Sequence, residues 1–325
     1  MRAVLCKELG GPEKLVLEEV PSPPLRDAAV RIAIHAAGVN FADSLLIAGQ
    51  YQDRPPLPFI PGMEVSGVVT EVASGVTHVK PGDRVLASVG RGGYAEEIVA
   101  EADIVHRIPD AMDFVTAAGF PVAYSTSHGA YAWRGRLKAG EWVLVLGASG
   151  GVGLTAVEIA KAMGATVIAA AGGAEKLAVA ERAGADHLVD YRREDLRERV
   201  KAITGGRGVD VVYDPVGGDA FDQGLRCIAW EGRIIVIGFA AGRIPQIPAN
   251  LVLVKNIDVI GFFWGSYRRY KPHLMAQSYQ QLFAWFAAGK LKPHVSHRLP
   301  LAQAGEALAL LRARQSTGKV VLLAR

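Results

Sequence analysis

Residues 142 to 153 read WVLVLGASGGVG, an apolar run with strand character that stops at a glycine-rich turn. Apolar residues at helical spacing follow in 154–162, so the order is strand, turn and helix. The fingerprint G-x-G-x-x-G appears as Ala148-x-Gly150-x-x-Gly153, with alanine in the first position. Glycines let such a turn bend sharply, and the helix start then offers N–H groups and a positive dipole end to pyrophosphate. The pattern predicts a dinucleotide site.

The composition is that of a globular protein. Half of the 325 residues are hydrophobic and 21% are charged, which provides core material for two domains. No apolar run reaches the length of a membrane span, and residues 1–7 lack the apolar region of a signal peptide, so we expect a soluble cytoplasmic protein. The two cysteines are too few for a disulfide framework or a cysteine-rich zinc site. A net charge of +4 without a basic block disfavours nucleic acid as a partner and slightly favours an anionic ligand.

The sequence pattern changes twice along the chain. Residues 1–122 hold short apolar strands punctuated by glycine and proline, which is typical of a mostly antiparallel β-barrel. Residues 123–261 alternate strands and helices, the pattern of a parallel doubly wound sheet. Residues 262–325 are too few for a domain of their own, and we expect them to complete the first one. The sequence therefore predicts an α/β protein whose nucleotide-binding domain is inserted into the first domain.

The end of the second predicted strand favours NADPH over NADH. Sites for NAD carry an acidic residue there, about 20 residues after the glycine turn, to hold the adenosine ribose. Here the strand ends at Ala171-Gly172-Gly173, and these small residues leave room for a phosphate. Lys176, one helical turn further on, and Tyr191, after the third strand, are candidates to contact that phosphate. In the alternative interpretation, Lys176 is a solvated helix residue and Glu175 holds the ribose.

Motifs in both domains resemble one family. In chain order they are Ala37–Asp43, Pro58–Gly67, Pro81–Val85, Gly147–Gly153, Gly172–Lys176, Gly184–Asp186, Asp190–Tyr191 and Asp214–Gly218. Together they resemble the quinone oxidoreductase, or zeta-crystallin-like, branch of the medium-chain dehydrogenase/reductase superfamily. The resemblance covers essentially the whole chain. It implies a GroES-like catalytic domain at 1–122, completed by 262–325, a Rossmann domain that binds NADPH at 123–261, and a homodimer.

The resemblance points to the zinc-free members of the superfamily. Zinc-dependent members carry a cysteine where this chain has Asn40 and a histidine where it has Met63, and neither replacement is a reasonable zinc ligand. His294 and His297, the one clustered pair of histidines, are interpreted as a loop pair, so we expect no metal site. The implied reaction is hydride transfer from NADPH to a small electrophilic acceptor, either a quinone or an α,β-unsaturated carbonyl.

The family motifs also imply site residues by position. Asn40, Asp43 and Tyr51 are the candidate catalytic residues, with Tyr51 the best protein donor to a developing oxyanion. Two simpler interpretations stay open, in which Asp43 caps a helix that begins near Ser44 and Tyr51 is an ordinary half-buried aromatic residue. The candidate cofactor contacts are Asn40, Tyr51, Ser149, Gly150, Gly151, Val152, Gly172, Lys176, Tyr191, Val216, Gly238, Phe239, Phe262, Phe263 and Trp264. The last three are alternatively packing residues.

Two other functions compete with the quinone or enone reductase. An enoyl-CoA reductase would use the same hydride chemistry and read the CoA phosphates through the basic and aromatic cluster Tyr267–Lys271. That cluster is otherwise a solvated surface. A function of another class is a largely non-catalytic, NADPH-binding protein with a structural or RNA-binding role. The basic residues lack the clustered, aromatic-interleaved stripe of a dedicated RNA surface, which disfavours the RNA-binding form.

Overall fold

The structure is a computed structural model that describes all 325 residues. Its strands are β1 (Arg2–Cys6), β2 (Leu15–Glu19), β3 (Ala29–Val39), β4 (Glu64–Val72), β5 (Arg84–Ser88), β6 (Glu97–Glu101), β7 (Val105–Arg107), β8 (Trp142–Leu146), β9 (Thr166–Ala171), β10 (His187–Asp190), β11 (Val209–Asp214), β12 (Ile228–Val236), β13 (Asp258–Gly261), β14 (Val295–Pro300) and β15 (Lys319–Leu323). Its α-helices are α1 (Phe41–Ile47), α2 (Phe114–Ala118), α3 (Pro121–Gly129), α4 (Gly151–Ala162), α5 (Ala174–Arg182), α6 (Leu196–Ile203), α7 (Gly218–Cys227), α8 (Ala249–Lys255), α9 (Tyr267–Tyr270), α10 (Pro272–Ala287) and α11 (Ala304–Arg312). No helix combines the length and the apolar character needed to cross a membrane.

The chain divides into two units. Unit 1 comprises Met1–Val122 together with Pro293–Arg325, and unit 2 comprises Ala123–Lys292. Residues 262–292 therefore belong to unit 2, although the sequence pattern assigns them to the first domain. Their main element is α10, whose Ser278 hydroxyl lies 2.8 Å from Nδ1 of His128 in α3. This buried polar contact fastens the helix to unit 2.

Unit 1 is built mainly from antiparallel strands. Its larger sheet has the order β14-β15-β3-β4-β5-β7, with β6 also paired to β3, and β1 and β2 form a separate two-stranded sheet. Only β14 and β15 pair in parallel in the larger sheet. The hydrogen-bonded pairs follow an open path, so they do not close a barrel. Alternate residues of β3, Val30, Ile32 and Ile34, are fully buried, as expected for a strand with one face on a core.

Unit 2 is a parallel doubly wound sheet, as predicted. The strand order is β10-β9-β8-β11-β12-β13, and every neighbouring pair is parallel. The chain moves from β8 outward to β10 on one side and from β11 outward to β13 on the other. In open α/β sheets, ligands bind outside the carboxyl ends of the strands at such a switch point, which here lies between β8 and β11.

Candidate functional site

The glycine turn between β8 and α4 has the geometry of a dinucleotide loop. Gly147 has a φ of 59°, which favours glycine, and Gly150 is the N-cap residue of α4. A Cβ atom at Gly153 would lie 2.1 Å from the carbonyl oxygen of Gly147, so the helix packs on the turn only without a side chain there. The sharp bend is therefore made by Gly147, one residue before the Ala148 position that the fingerprint assigns to it.

The predicted pyrophosphate donors differ in their hydrogen bonding. The N–H group of Gly150 donates to the Gly147 carbonyl at 3.0 Å and is thus already satisfied, contrary to its predicted role. Gly151 and Val152 are the first two residues of α4, and N–H groups at this position have no acceptor within the helix. Ser149 precedes the N-cap and is buried. The N–H groups of Gly151 and Val152 stay candidates for binding an anion.

A buried polar network in unit 2 supports the first turn of α4. The Ser127 hydroxyl lies 3.0 Å from the Val152 carbonyl, 2.8 Å from the Thr155 hydroxyl and 3.0 Å from the Tyr213 hydroxyl. All three hydroxyl-bearing residues are buried, so each contact replaces hydration that the group has lost. The network joins α3, α4 and β11 beneath the loop, and it is not visible in the local sequence of any of them.

The ends of β9 and β10 meet at Gly172. A Cβ atom at Gly172 would lie 2.7 Å from Nε of Arg192 and 3.1 Å from Cε2 of Tyr191, so both side chains lie over this glycine. Lys176 is in the first turn of α5, where the helix dipole favours an anion. Glu175, the alternative ribose ligand, is in the same turn and exposed. Sequence reasoning overlooked Arg192, although its place directly after Tyr191 was a usable signal.

Asp190 organises the two turns that follow β9 and β10. Its Oδ1 atom accepts hydrogen bonds from the backbone N–H of Gly173 and of Arg192, both at 3.1 Å. Gly173 has a φ of 100°, which favours glycine. The Asp190 carboxylate is thus directed at the backbone and is not the ribose-binding acid of an NAD site, which belongs at the end of β9.

The loops after β11 and β12 lie side by side at the carboxyl edge of the sheet. Asp214 accepts hydrogen bonds from the N–H groups of Val216 and Gly217 at 2.8 and 2.9 Å, and burial raises the pKa of its carboxyl group to about 6. A Cβ atom at Gly217 would lie 3.0 Å from the ring of Phe239. The predicted contacts Val216, Gly238 and Phe239 are therefore brought together.

The three aromatic residues after β13 have different environments. Phe262 is buried, and its ring centroid lies 5.2 Å from that of Tyr267 and 6.1 Å from that of Trp133. Trp264 is also buried, and its indole Nε1 has no hydrogen-bond partner. Phe263 is exposed. Phe262 thus has the environment of a packing residue, the alternative considered for this segment.

In unit 1, Asn40 and Asp43 form the start of α1. The helix begins at Phe41 with Asn40 as its N-cap, and Asp43 Oδ2 accepts the Asn40 backbone N–H at 2.9 Å, which corrects the expectation of a helix near Ser44 capped by Asp43. The Tyr94 hydroxyl donates to the same Oδ2 atom at 2.9 Å. Complete burial raises the pKa of the Asp43 carboxyl group to about 7, despite these two hydrogen bonds.

A buried ion pair holds the Asn40 side chain. Nζ of Lys319, the first residue of β15, lies 2.7 Å from Asn40 Oδ1 and 2.8 Å from Glu64 Oε1. Asn40 Nδ2 donates to the same Glu64 oxygen at 2.9 Å, and Glu64 Oε2 accepts the Val122 N–H at 2.7 Å. Sequence reasoning overlooked both charged residues. A charged residue at the start of an apolar strand was the available signal, because such residues are rarely buried without a partner.

Tyr51 and Met63 complete the predicted residues of unit 1. Both pack against the core of this unit, Tyr51 half-buried and Met63 buried. Burial is the largest cause that raises the pKa of the Tyr51 hydroxyl to about 12, so it is protonated and can donate at neutral pH.

The side chains that could bind a metal ion are not grouped into a metal centre. No three His, Cys, Asp or Glu side chains lie together in an arrangement that could hold a metal ion. The clustered histidines contact hydroxyl groups instead: His294 Nε2 lies 3.0 Å from the Thr317 hydroxyl and His297 Nδ1 lies 2.9 Å from the Ser296 hydroxyl.

Comparison with known families identifies both parts of the chain. The family described as zinc-binding dehydrogenase matches residues 151–284, and the family described as alcohol dehydrogenase GroES-like domain matches residues 26–110. The two matches fall in unit 2 and in unit 1, respectively. They agree with the Rossmann and GroES-like assignments made from the sequence.

Individual relatives match over nearly the whole length. The quinone oxidoreductase-like protein 2 homolog of Nematostella vectensis is 44% identical, over 99% of this chain and 88% of its own. Human quinone oxidoreductase is 34% identical, over 99% of this chain and 98% of its own. The crystal structure of Escherichia coli quinone oxidoreductase complexed with NADPH superposes with a TM-score of 0.93 at 32% identity, covering 99% of this chain and 100% of that one. The chain therefore belongs to the quinone oxidoreductase branch of the medium-chain dehydrogenase/reductase superfamily and is an oxidoreductase of that family.

Proposed function

We propose that this protein is a zinc-independent reductase that uses NADPH to reduce a quinone or an α,β-unsaturated carbonyl compound. The observation that carries the proposal is the arrangement at Gly172, where Arg192 and Tyr191 lie over a strand end that has no carboxylate of its own. A guanidinium group and the start of α5 suit the 2′-phosphate that distinguishes NADPH from NADH. The NADPH complex of the Escherichia coli relative supports this choice.

The remaining predicted contacts fit a dinucleotide in unit 2. The N–H groups of Gly151 and Val152 at the start of α4 would hold the pyrophosphate. The adjoining loops at Val216 and Phe239 would hold the nicotinamide ribose and carboxamide, and Phe263 is an exposed aromatic residue after β13, the strand next to β12. When bound, NADPH supplies a hydride, and a conjugated acceptor takes it at carbon with little acid assistance.

Unit 1 would contribute hydrogen bonding at the acceptor. The Tyr51 hydroxyl, whose pKa burial raises to about 12, donates to the oxygen on which negative charge develops. The Asn40 carboxamide is the second donor. Asp43 acts through α1, because it is fully buried and its Oδ2 atom accepts the hydrogen bonds of the Asn40 backbone and the Tyr94 hydroxyl. The proton that completes the reduction comes from water, either directly or through Tyr51.

The chemistry of Asn40 and Met63, which stand at the zinc-ligand positions, supports zinc independence. The oxygen of Asn40 accepts a hydrogen bond from the Lys319 ammonium, and a cationic neighbour at 2.7 Å opposes binding of a second cation. Met63 offers only a buried thioether. Metal analysis of the purified protein should find less than about 0.1 zinc per chain, and stoichiometric zinc that is needed for turnover would overturn this part of the proposal.

We also propose a cytoplasmic homodimer. β13 is an edge strand with one neighbour, β12, and the adjacent helix α8 exposes Leu253 and Val254. An unpaired edge beside exposed apolar residues favours pairing with a second chain. The mass in solution, compared with the 34.5 kDa of one chain, tests this, and cell fractionation tests the location.

The acceptor is tested by measuring NADPH oxidation with a small quinone, a simple enone and crotonyl-CoA. We expect kcat/KM to be highest for the quinone or the enone. A hundredfold preference for the thioester would instead establish the enoyl-CoA reductase, with the exposed Arg269 and Lys271 as candidates to bind the CoA phosphates. NADPH binding without turnover of any acceptor would establish the non-catalytic alternative.

Replacement of Arg192 by alanine should reduce the preference for NADPH. A charge-assisted hydrogen bond contributes about 1.5–3 kcal/mol, so we expect KM for NADPH to rise about 10- to 100-fold, with KM for NADH within about threefold of wild type. Lys176→Ala should act in the same direction. The matched control is Arg197→Ala, because Arg197 is an exposed arginine on α6. Equal changes for both nucleotides in Arg192→Ala would contradict the phosphate assignment.

A further inference from the structure

We propose that Lys319 is a positioning residue for the reaction, because it fixes the orientation of the Asn40 carboxamide from the far end of the chain. The inference rests on the proposed function, in which Asn40 is a donor at the acceptor. Lys319 and Asn40 are separated by 279 residues and meet because β15 pairs with β3, at whose end Asn40 lies.

The contacts of Lys319 permit only one orientation of the amide. An ammonium group has three donors and no acceptor, and here the Nζ atom lies within 3.0 Å of three oxygens, on Asn40, Glu64 and the Val39 backbone. The amide atom that faces Lys319 must therefore be oxygen. The Nδ2 group then donates to the Glu64 carboxylate at 2.9 Å. A flipped carboxamide would place an N–H against the ammonium and an oxygen against the carboxylate, and both contacts would be repulsive.

This arrangement leaves one hydrogen of the Asn40 amide for another acceptor. The carboxamide nitrogen carries two hydrogens, and Glu64 accepts one of them. The second points in a direction set by the ion pair. Lys319 thus sets the direction of a hydrogen-bond donor in the site without itself touching a substrate or cofactor.

The fold makes room for this ion pair at some cost. Lys319 is 6% exposed, Glu64 is 0% exposed and Asn40 is 8% exposed. A Cβ atom at Gly38 would lie 2.3 Å from Glu64 Oε1, and one at Gly119 would lie 3.1 Å from Lys319 Cγ, so both positions suit glycine. Apolar replacement of a buried ion pair often leaves the stability of a protein unchanged or higher, so a stabilising effect alone does not explain why Lys319 and Glu64 are buried here. Their role in holding the Asn40 carboxamide does explain it.

The test compares Lys319→Met with the double variant Lys319→Met/Glu64→Gln. The single variant leaves an uncompensated buried carboxylate, so both its melting temperature and its kcat should fall. The double variant removes both charges and should regain most of the melting temperature. Its kcat should nevertheless stay at least about tenfold below wild type, with KM for NADPH within about twofold, because a glutamine whose oxygen keeps the Val122 N–H presents its own N–H group to Asn40 and no longer favours the wild-type orientation of the carboxamide. Lys80→Met, at an exposed lysine of the same unit, is the control for the substitution.

Recovery of kcat together with the melting temperature would overturn the proposal, because it would show that the pair acts only on stability. A readout without turnover separates this failure from failure of the proposed function. The Asn40 side-chain amide, assigned by NMR through Asn40→Asp, should give one pair of proton resonances in wild type and an exchanging or displaced pair in the double variant. An unchanged pair would refute the positioning role, whatever acceptor the enzyme reduces.

Discussion

Alanine at position 153 is expected to abolish dinucleotide binding and to destabilise unit 2. The new Cβ atom would lie 2.1 Å from the oxygen and 2.9 Å from the carbon of the Gly147 carbonyl, and 3.0 Å from the Ala148 Cα atom. All three are backbone atoms, so no change of rotamer relieves the overlap. Moving α4 away from the turn would displace the N–H groups that receive pyrophosphate. Overpacking of this kind costs about 1–3 kcal/mol or more, and we expect Kd for NADPH to rise more than about 100-fold.

Gly150→Ala is the matched control, because it changes the same loop without the steric conflict. A Cβ atom there would lie 3.4 Å from its nearest neighbour, the Gly147 oxygen, and the φ of −78° suits any residue. This variant should keep the wild-type melting temperature. It should weaken NADPH binding only because the new methyl group lies close to the bound nucleotide. Calorimetric titration with NADPH and thermal unfolding without it measure the two effects separately. A Gly153→Ala protein that binds NADPH like wild type would refute the assigned geometry.

The sequence predicts the elements around this loop well, because the features that define them are local. The strand and helix that flank the turn, the uncharged end of β9 and the final strand at 319–323 all follow from apolar spacing and glycine placement. The position of the bend was harder to predict. The sequence motif alone does not tell whether Gly147 or Ala148 adopts the left-handed conformation. In the structure, Gly147 adopts it, with a φ of 59°.

Features that depend on distant contacts were not predictable in the same way. The pairing of Glu64 with Lys319 joins residues 255 positions apart, and no periodicity in either segment signals it. The predicted boundary at 261 differs from the end of unit 2 at Lys292, and one of the contacts that place α10 in this unit, between His128 and Ser278, spans 150 residues. Asp43 received a catalytic role by resemblance, whereas its hydrogen bonds depend on the position of Tyr94, 51 residues away. Sequence reasoning therefore proposed donors for the site and overlooked the residues that hold them in place.

A second large effect is expected from Glu158→Gln, which should stabilise the protein at pH 8 and have little effect near pH 4. Glu158 is buried on α4, where its Oε1 accepts the Lys292 backbone N–H at 3.0 Å and its Oε2 accepts the Tyr124 hydroxyl. Desolvation raises the pKa of this carboxyl group from 4.5 to about 7, despite those two hydrogen bonds. A glutamine can keep both contacts, accepting from Lys292 through its oxygen and donating to the Tyr124 oxygen, and it carries no charge to desolvate.

The sign of the effect follows from which state holds the proton. Below pH 4.5, the group is protonated in the folded and unfolded states, and its favourable contribution to folding is fully present. Between pH 4.5 and about 7 the unfolded state loses the proton first, so the free energy of unfolding falls as pH rises, and above about 7 it is constant again. The total loss is about 3 kcal/mol at about 1.4 kcal/mol per pH unit, or roughly 5–10 °C in melting temperature for a protein of this size.

Asp43 and Asp214 have raised pKa values as well, so the wild-type protein loses stability over the same interval for more than one reason. The difference between Glu158→Gln and wild type, measured by thermal unfolding at pH 4.5, 6 and 8, isolates Glu158 because the other groups cancel. That difference should grow with pH, and Glu19→Gln, at an exposed glutamate of β2, is the control for the substitution. A flat difference for Glu158→Gln would mean that the buried carboxylate is ionised without penalty. The Tyr124 and Lys292 hydrogen bonds would then fully offset its desolvation.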